Sequence, residues 1–209
     1  MRVAALFVDD RDGPYVGLDD VDVWGVTRDA RRYDGELPVV AHPPCERWSR
    51  YWHGGPSAKV RRVLGDDDGC FASALASVRR CGGVLEHPEA SHAWRTFGLI
   101  TPPKSGGWVR ADEHGWTCCV EQGHYGHRAR KATWLYAVGC ELPSLRWGRS
   151  SGERLDEGFH SAGERRAARA LGIAPRPRLS ARECWATPVA FRDVLIEIAR
   201  SVYAKRRAA

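Results

Sequence analysis

Short runs of apolar and β-branched residues, separated by Gly, Pro and Asp, constrain the fold of this chain more than any other feature. Such runs predict strands that end at turns. They lie at 3–8, 21–26, 37–41, 84–86, 116–121 and 132–138. The first strand is followed directly by acidic residues, which is typical of a loop at the carboxyl end of a strand.

Two segments between and after these runs have the apolar spacing of helices. Residues 66–81 begin with Asp and are stopped by Gly82-Gly83, and residues from Thr187 to about Tyr203 begin with an N-cap and Pro188. Strands that alternate with helices predict an α/β layer fold with a mostly parallel sheet.

Length and composition agree with one self-sufficient domain over residues 1–209. Apolar residues make up 43% and charged residues 28% of the chain, which excludes a disordered, collagenous or membrane-embedded protein. The N-terminus resembles neither a signal nor a transit peptide, so we expect a cytoplasmic protein with no membrane partner. Seven Cys without C-x-x-C spacing predict reduced thiols.

The positive charge is concentrated in one part of the chain. The formal net charge is +6, and residues 146–182 contain nine Arg against four acids. Clustered Arg is typical of proteins that bind a phosphate backbone, although a solvated basic surface has the same composition. Nine Trp in a chain of this length could stack on bases or simply fill the core.

The segment Pro38-Val-Val-Ala-His-Pro-Pro-Cys45-Glu-Arg-Trp-Ser49 is the most informative one. A strand there delivers Cys45 onto a turn stiffened by two prolines, at the carboxyl edge of a sheet, where α/β proteins place ligands. A lone Cys is more often a small core residue than a nucleophile. The alternative, a catalytic thiolate, needs local stabilisation of its charge.

Two further segments carry groups that suit the same edge. Gly83-Val-Leu-Glu86-His87-Pro88 ends a strand in a carboxylate, which could protonate a ring nitrogen if burial raises its pKa. The donor-rich stretch Gln122-Gly-His-Tyr-Gly-His-Arg128-Ala-Arg130-Lys131 comes just before the last strand.

In this order the segments resemble the DNA cytosine-5 methyltransferases, over roughly residues 36 to 200. Pro43-Pro44-Cys45 resembles the nucleophile motif of that family, and Glu86-His87-Pro88 resembles its Glu-Asn-Val motif. Residues 124–131 resemble its Tyr-Gly and Gln-x-Arg-x-Arg stretch. Arg178-Leu-Ser-Ala-Arg182-Glu-Cys is similar to its Arg-x-Leu-Thr-x-Arg-Glu motif, and Thr187-Pro188-Val-Ala resembles the start of its closing helix.

The resemblance implies a methyltransferase-like, Rossmann-like fold and an enzyme that modifies carbon 5 of cytosine in DNA. Cys45 would add to carbon 6, Glu86 would protonate ring nitrogen 3, and Arg130 would bind the base oxygen or a phosphate. The base must be flipped out of a duplex or lie in a single strand. The implied substrate-binding residues are Pro44, Ser49, His87, Arg128, Lys131, Arg178 and Arg182.

The chain departs from the family in the half that holds the methyl donor, S-adenosylmethionine. The first strand runs into Asp9-Asp10-Arg-Asp-Gly13 rather than a Gly-rich turn, and Cys45 follows Val8 by only 37 residues. We therefore expect a trimmed donor site, with Asp9, Asp29 and Pro188 as the candidate contacts. Asp9 and Asp29 would then bind ribose, or they are ordinary acids at strand ends.

The sequence is compatible with more than one carbon donor and indicates little DNA sequence specificity. A trimmed donor site is compatible with methylene-tetrahydrofolate and hydroxymethylation, or with deamination by water. A small Arg-rich insert at about 141–178 stands in place of a target-recognition region, which predicts phosphate binding with little sequence specificity. Such broad modification is typical of phage or mobile-element DNA, so we expect a bacterial or phage-infected cell.

Three alternatives belong to other classes. The grouping of Cys118, Cys119, His124 and His127 suggests a zinc protein, but adjacent Cys is poor ligand spacing and we expect no metal. A DNA-binding module without catalysis could keep the same fold. A free nucleotide could also replace DNA as the substrate.

Overall fold

A computed structural model describes residues 1–54, 61–152, 162–173 and 179–208 of the chain. One seven-stranded sheet forms its centre, in the order β2-β1-β3-β4-β7-β6-β5. The strands are β1 (Val3–Leu6), β2 (Val21–Trp24), β3 (Val39–Ala41), β4 (Gly83–Pro88), β5 (Val109–Arg110), β6 (Trp116–Glu121) and β7 (Ala132–Val138).

The sheet is parallel in one half only. β1 pairs in parallel with both β2 and β3, and β3 pairs in parallel with β4. β7 is antiparallel to β4 and to β6, and β5 is antiparallel to β6. The prediction of an α/β fold is confirmed, whereas the largely parallel sheet is confirmed only for β1 to β4. A hairpin needs just a short loop, so β6 and β7 add to the sheet without a crossover helix.

Helices cover both faces of the sheet. The helices are α1 (Cys70–Cys81), α2 (His92–Thr96), α3 (Ala162–Ala170), α4 (Ala181–Trp185) and α5 (Val189–Ala208). Phe71 and Leu75 of α1 and Trp94 of α2 pack on one face. Phe191 and Leu195 of α5 pack on the other. This three-layer arrangement satisfies the alternating apolar pattern of the strands.

The helix boundaries differ from the predicted ones for local reasons. α1 begins at Cys70 and not at residue 66, because the Asp67 carboxylate accepts the backbone N–H groups of Gly69 and Phe71 and forms the turn before the helix. α5 begins at Val189 and extends to Ala208. The sequence patterns missed α2, α3, α4 and the two-residue strand β5.

The connection from β1 to β2 shortens the first half of the fold. Residues 7–20 form turns and contain no helix, and the Asp10 carboxylate accepts the Thr27 N–H at 2.8 Å beyond the end of β2. Within the expected insert at 141–178, the structure describes 141–152 and 162–173, which include α3. None of the helices of the described residues is long and apolar enough to cross a membrane.

Candidate active site

The end of β3 carries Cys45 on a loop that is anchored at both ends. The His42 N–H donates to the Leu6 carbonyl at 3.0 Å and extends the pairing with β1 beyond the strand. The Cys45 carbonyl accepts the N–H groups of Trp48 at 3.0 Å and Ser49 at 2.8 Å, which closes a turn directly after the thiol. The Trp48 indole is buried and donates to Asp67 at 2.7 Å, so the loop is held against the start of α1.

Glu86 lies at the same edge, on the neighbouring strand β4. Ala41 pairs with Leu85, so the next residues along, His42 and Glu86, are also neighbours. His42 Nδ1 lies 2.9 Å from Glu86 Oε2, and its Nε2 lies 2.8 Å from the Tyr15 hydroxyl. The other carboxylate oxygen, Oε1, accepts a hydrogen bond from Gln122 Nε2 at 3.1 Å. Both oxygens of Glu86 are therefore held by neighbouring side chains.

The ionisation of Glu86 differs from the sequence-based expectation. Burial by itself would raise the pKa of Glu86, but the hydrogen bond and charge of His42, aided by the charge of Lys131, lower it to about 2. The idea that Glu86 stores a proton because it is buried is therefore wrong. Glu86 is an ionised carboxylate near neutral pH.

Cys45, Glu86 and Lys131 interact electrostatically. Burial raises the pKa of the Cys45 thiol, the negative charge of Glu86 raises it further, and Lys131 opposes this change. Burial lowers the pKa of Lys131, against the attraction of Glu86 and Cys45. In the free protein Cys45 therefore stays a thiol, and a proton acceptor is needed before it can act as a nucleophile.

Comparisons of this chain with protein-family models, with curated proteins and with solved structures found no match. Function has to be argued from the geometry of the site.

A cleft of about 450 Å³ lies beside the Cys45 loop. Cys45 is not one of its lining residues, but Ser49, at the end of the Cys45 turn, is. The Glu89 carboxylate in the wall of the cleft forms ion pairs with Arg50 at 3.1 Å and with Lys104 at 3.0 Å. Its cationic lining residues are Arg50, Lys104, Arg130 and Lys131.

Arg130 and three residues of the predicted substrate set lie around this cleft or the Cys45 loop. Arg130 lines the cleft and donates from Nε to the Gly152 carbonyl at 3.0 Å. The Lys131 ammonium donates to the carbonyls of Trp185 at 3.2 Å and Ala186 at 2.7 Å, at the end of α4. These two backbone carbonyls hold the Lys131 ammonium in place, where it supplies positive charge to the site. Pro44 is exposed just before Cys45, and Ser49 lines the cleft.

The other predicted substrate residues have different positions. His87 is 1% exposed and packs between Phe71 and Trp94, so its assignment as a DNA contact is wrong. It follows Glu86 on β4, and successive side chains of a strand point to opposite faces. Arg128 forms an ion pair with Glu183 of α4 at 2.7 Å. Arg182 is exposed on α4, and Arg178 lies outside the described residues.

The candidate donor contacts lie in three separate segments of the chain. The Asp9 carboxylate accepts the N–H groups of Arg11 and Asp12 and so closes its own turn. Asp29 caps a short 3-10 helix, and its carboxylate pairs with Arg31 at 2.8 Å. The Pro188 carbonyl accepts N–H groups from the first turn of α5. These bonds give each of the three residues a local structural role, and their assignment to S-adenosylmethionine stays a prediction.

The zinc alternative depends on the two adjacent Cys residues of β6. Cys118 packs with the core on the α5 face and Cys119 with the core on the α1 face, so the two thiols cannot bind the same ion. The described residues contain no group of three or more side chains placed to hold a metal.

Three residues of the site have no predicted role in it. His42 stands only in the segment that leads to Cys45, Gln122 only in the donor-rich stretch, and no sequence pattern points to Tyr15. The position of His42 three residues before Cys45 is the signal that could have identified it. Tyr15 comes from a loop far away in the chain, and no local pattern relates it to His42.

Proposed function

We propose that this protein is an enzyme that modifies carbon 5 of cytosine in DNA, with Cys45 as the nucleophile and Glu86 as the proton carrier. One observation carries the proposal. Cys45 and Glu86, the two groups that base activation needs, lie at one edge of the sheet and close enough for the charge of Glu86 to raise the pKa of the thiol. The order of the motifs and their resemblance to cytosine-5 methyltransferases support the same function.

The chemistry follows from the two groups. Glu86 takes the thiol proton of Cys45, and the sulfur adds to carbon 6 of the base. The electrons of the C5–C6 and C4–N3 double bonds shift, and Glu86 passes the same proton to ring nitrogen 3. The resulting enamine makes carbon 5 nucleophilic. After carbon 5 attacks an electrophilic carbon, water takes the carbon 5 proton and the thiolate leaves carbon 6. Ring nitrogen 3 then returns its proton through Glu86 to Cys45, which restores both the base and the thiol.

These steps also explain how Cys45 can act as a nucleophile although the pKa of its thiol is raised. The carboxylate of Glu86 disfavours a thiolate beside it because like charges repel. Once Glu86 carries the proton, or shares it with ring nitrogen 3, that repulsion is lost. The nucleophile is therefore activated only when a base is present to receive the proton.

The cleft beside the Cys45 loop suits the nucleotide that carries the base. Arg50, Lys104 and Arg130 line it and can attract a phosphate, while Ser49 supplies a hydroxyl next to the nucleophile loop. Specific base readout needs several side chains that reach base edges. We assign this cleft to the sugar and phosphate of the target nucleotide, and we propose little dependence on neighbouring bases.

The topology is compatible with a Rossmann-like methyltransferase fold. β1 lies between β2 and β3, and in such sheets ligands bind at the carboxyl ends where the strand order reverses. The residues after β3 include Cys45, so this crevice and the candidate site coincide. The product analysis below identifies the carbon donor, so the proposal includes no step through S-adenosylmethionine.

Mass spectrometry of nucleosides tests the proposal. Single-stranded and duplex DNA would be incubated with the protein and with S-adenosylmethionine, methylene-tetrahydrofolate or no donor. We expect a cytosine product modified at carbon 5 that disappears in Cys45→Ala and falls at least about 100-fold in Glu86→Gln. Cys70→Ala is the matched control, since Cys70 is also a half-buried free thiol.

The product identifies the electrophile. 5-Methylcytosine that requires S-adenosylmethionine would identify that compound as the donor. Hydroxymethylcytosine would indicate methylene-tetrahydrofolate. Uracil without a donor would indicate that water attacks the activated base, and the transfer step would be withdrawn. DNA binding with no altered nucleoside under any condition would overturn the enzyme assignment and favour a binding module.

A further inference from the structure

A chain of buried polar side chains runs through the edge of the sheet and ends at Glu86. Tyr15 is 1% exposed, Gln122 is 0% exposed and Glu86 is 9% exposed. Tyr15 bonds to His42, His42 to Glu86, and Glu86 to Gln122. Gln122 Nε2 also donates to the Thr133 hydroxyl at 2.9 Å. Five separate parts of the chain contribute to this network, so it forms only in the tertiary fold.

The direction of each hydrogen bond follows from the donors available. Gln122 Nε2 donates to two oxygens, which makes Glu86 Oε1 an acceptor. Burial raises the pKa of the Tyr15 hydroxyl, so it keeps its proton and can donate it to Nε2 of a neutral His42 ring. The neutral ring then carries its hydrogen on Nδ1, and a protonated ring carries one there as well. That hydrogen points at Glu86 Oε2, 2.9 Å away.

We propose that His42, held in one tautomer by Tyr15, is a positioning residue that keeps Glu86 an ionised and fixed carboxylate, ready to take the thiol proton of Cys45 and pass it to the base. This inference rests on the proposed function, because it gives a role to a neighbour of a proposed catalytic group. His42 contacts Glu86, and Tyr15 contacts His42. Neither residue contacts the base in this proposal.

The physical reason is the balance of forces on Glu86. Burial favours the neutral acid, and the His42 hydrogen bond and charge oppose it. The other titratable or charged groups that act on Glu86 or its partners are Lys131, His87, Cys45, Arg192 and Asp193. Without His42, Lys131 is the main remaining attraction, and burial then raises the pKa of Glu86 toward neutrality. A protonated Glu86 cannot accept the proton of Cys45.

Four variants and one pH series test this role. His42→Ala removes both hydrogen bonds, and His42→Asn keeps an N–H at the position of Nδ1. Tyr15→Phe removes only the bond to Nε2. Tyr33→Phe is the matched control, since Tyr33 is also buried and its hydroxyl bonds to the backbone of Leu37. The quantity measured is kcat/KM for the cytosine reaction between pH 5 and 9.

We expect His42→Ala to shift the acid limb of the profile upward, with about a tenfold loss at pH 6 that is recovered by pH 8. His42→Asn should restore most of the activity at pH 6, and Tyr15→Phe should shift the limb in the same direction by less. Tyr33→Phe should leave the profile unchanged. An equal loss at every pH in folded His42→Ala and Tyr15→Phe would overturn the inference.

A second measurement does not depend on turnover. Carbon-13 NMR of Glu-labelled protein follows the Glu86 carboxyl, which Glu86→Gln identifies, through a pH titration. We expect its midpoint to rise in His42→Ala and to return toward the wild-type value in His42→Asn. Unchanged titration would overturn the role of His42 even if the enzyme is active. Wild-type protein without cytosine activity would overturn the proposed function instead, so the two failures are distinguishable.

Discussion

Two consecutive residues of β4, Glu86 and His87, lie in different environments. Glu86 lies among hydrogen-bond donors at the sheet edge, and His87 packs between Phe71 and Trp94. Burial lowers the pKa of His87 to about 4, against the raising effect of Glu86. The His87 ring is therefore neutral and forms part of the core.

The neutral His87 predicts a dependence of stability on pH. Its pKa in the folded state lies below the usual value of 6.5, so the unfolded chain binds more protons and stability is lost as pH falls from 6.5 toward 4. Between pH 6.5 and 4.5 the loss from this residue should be about 2 kcal/mol. Glu86, whose pKa is also lowered, should cost stability only at lower pH, below its usual value of 4.5.

Urea unfolding at pH 6.5, 5.5 and 4.5 measures this loss. In His87→Phe, which keeps an aromatic ring between Phe71 and Trp94, the decrease in unfolding free energy over this range should be smaller by about 2 kcal/mol. His114→Phe is the control, because His114 is half exposed in a turn. An identical pH dependence in wild type and His87→Phe would show that His87 is accessible to protons in the folded protein.

At the scale of elements, the contact between β3 and β4 decides whether His42 and Glu86 meet. Gly83 begins β4 at a φ of +123°, and a Cβ at this position would lie 2.0 Å from the Val39 carbonyl oxygen. The two strands can pair at this register only because residue 83 has no side chain. The register then brings the residues that follow Ala41 and Leu85 side by side.

Gly83→Ala should therefore destabilise the protein by more than about 3 kcal/mol, because either β3 or β4 has to move. Gly17→Ala isolates the effect of backbone conformation, since Gly17 has a φ of +80° and a Cβ there has open space around it. That variant should lose only about 1 kcal/mol. Thermal unfolding of both variants gives the comparison, and equal losses would contradict the steric argument.

At the scale of the whole molecule, two groups of cations among the described residues lie at opposite edges of the sheet. Arg50, Lys104 and Arg130 line the cleft near the carboxyl ends of the strands. The cations at the end of α5 lie at the opposite edge, because Tyr203 bonds to the Arg2 carbonyl before β1 and Arg206 bonds to the Cys81 carbonyl before β4. Only the first group is near the candidate site.

This division predicts different effects of two charge-removing variants on DNA binding. Lys104→Ala should weaken binding and reduce the slope of log affinity against log salt by just under one, as expected for one lost phosphate contact. Arg207→Ala, at the far edge, should leave the slope unchanged. Fluorescence anisotropy of a labelled single-stranded oligonucleotide between 50 and 300 mM NaCl measures both, and a larger effect of Arg207→Ala would place the DNA on the other edge.

Much of the architecture could be predicted because its signals are local. β6 and β7 have the predicted bounds, and α1 and α5 follow the apolar spacing of their sequences. The antiparallel pairing of β7 with β4 could not be predicted, because these two strands are far apart in the chain. α2 and α4 have five residues each, too few for a periodic apolar pattern.

The sequence by itself determined which groups are available and where strands end. Cys45 and Glu86 follow or terminate apolar runs, so both were expected at the carboxyl edge of a sheet. The tertiary structure alone decided the charge of Glu86, the burial of His87 and the entry of Tyr15 and Gln122 into the site. Ionisation and hydrogen bonding depend on distances between atoms and on exclusion of water, and both arise only when distant segments pack together.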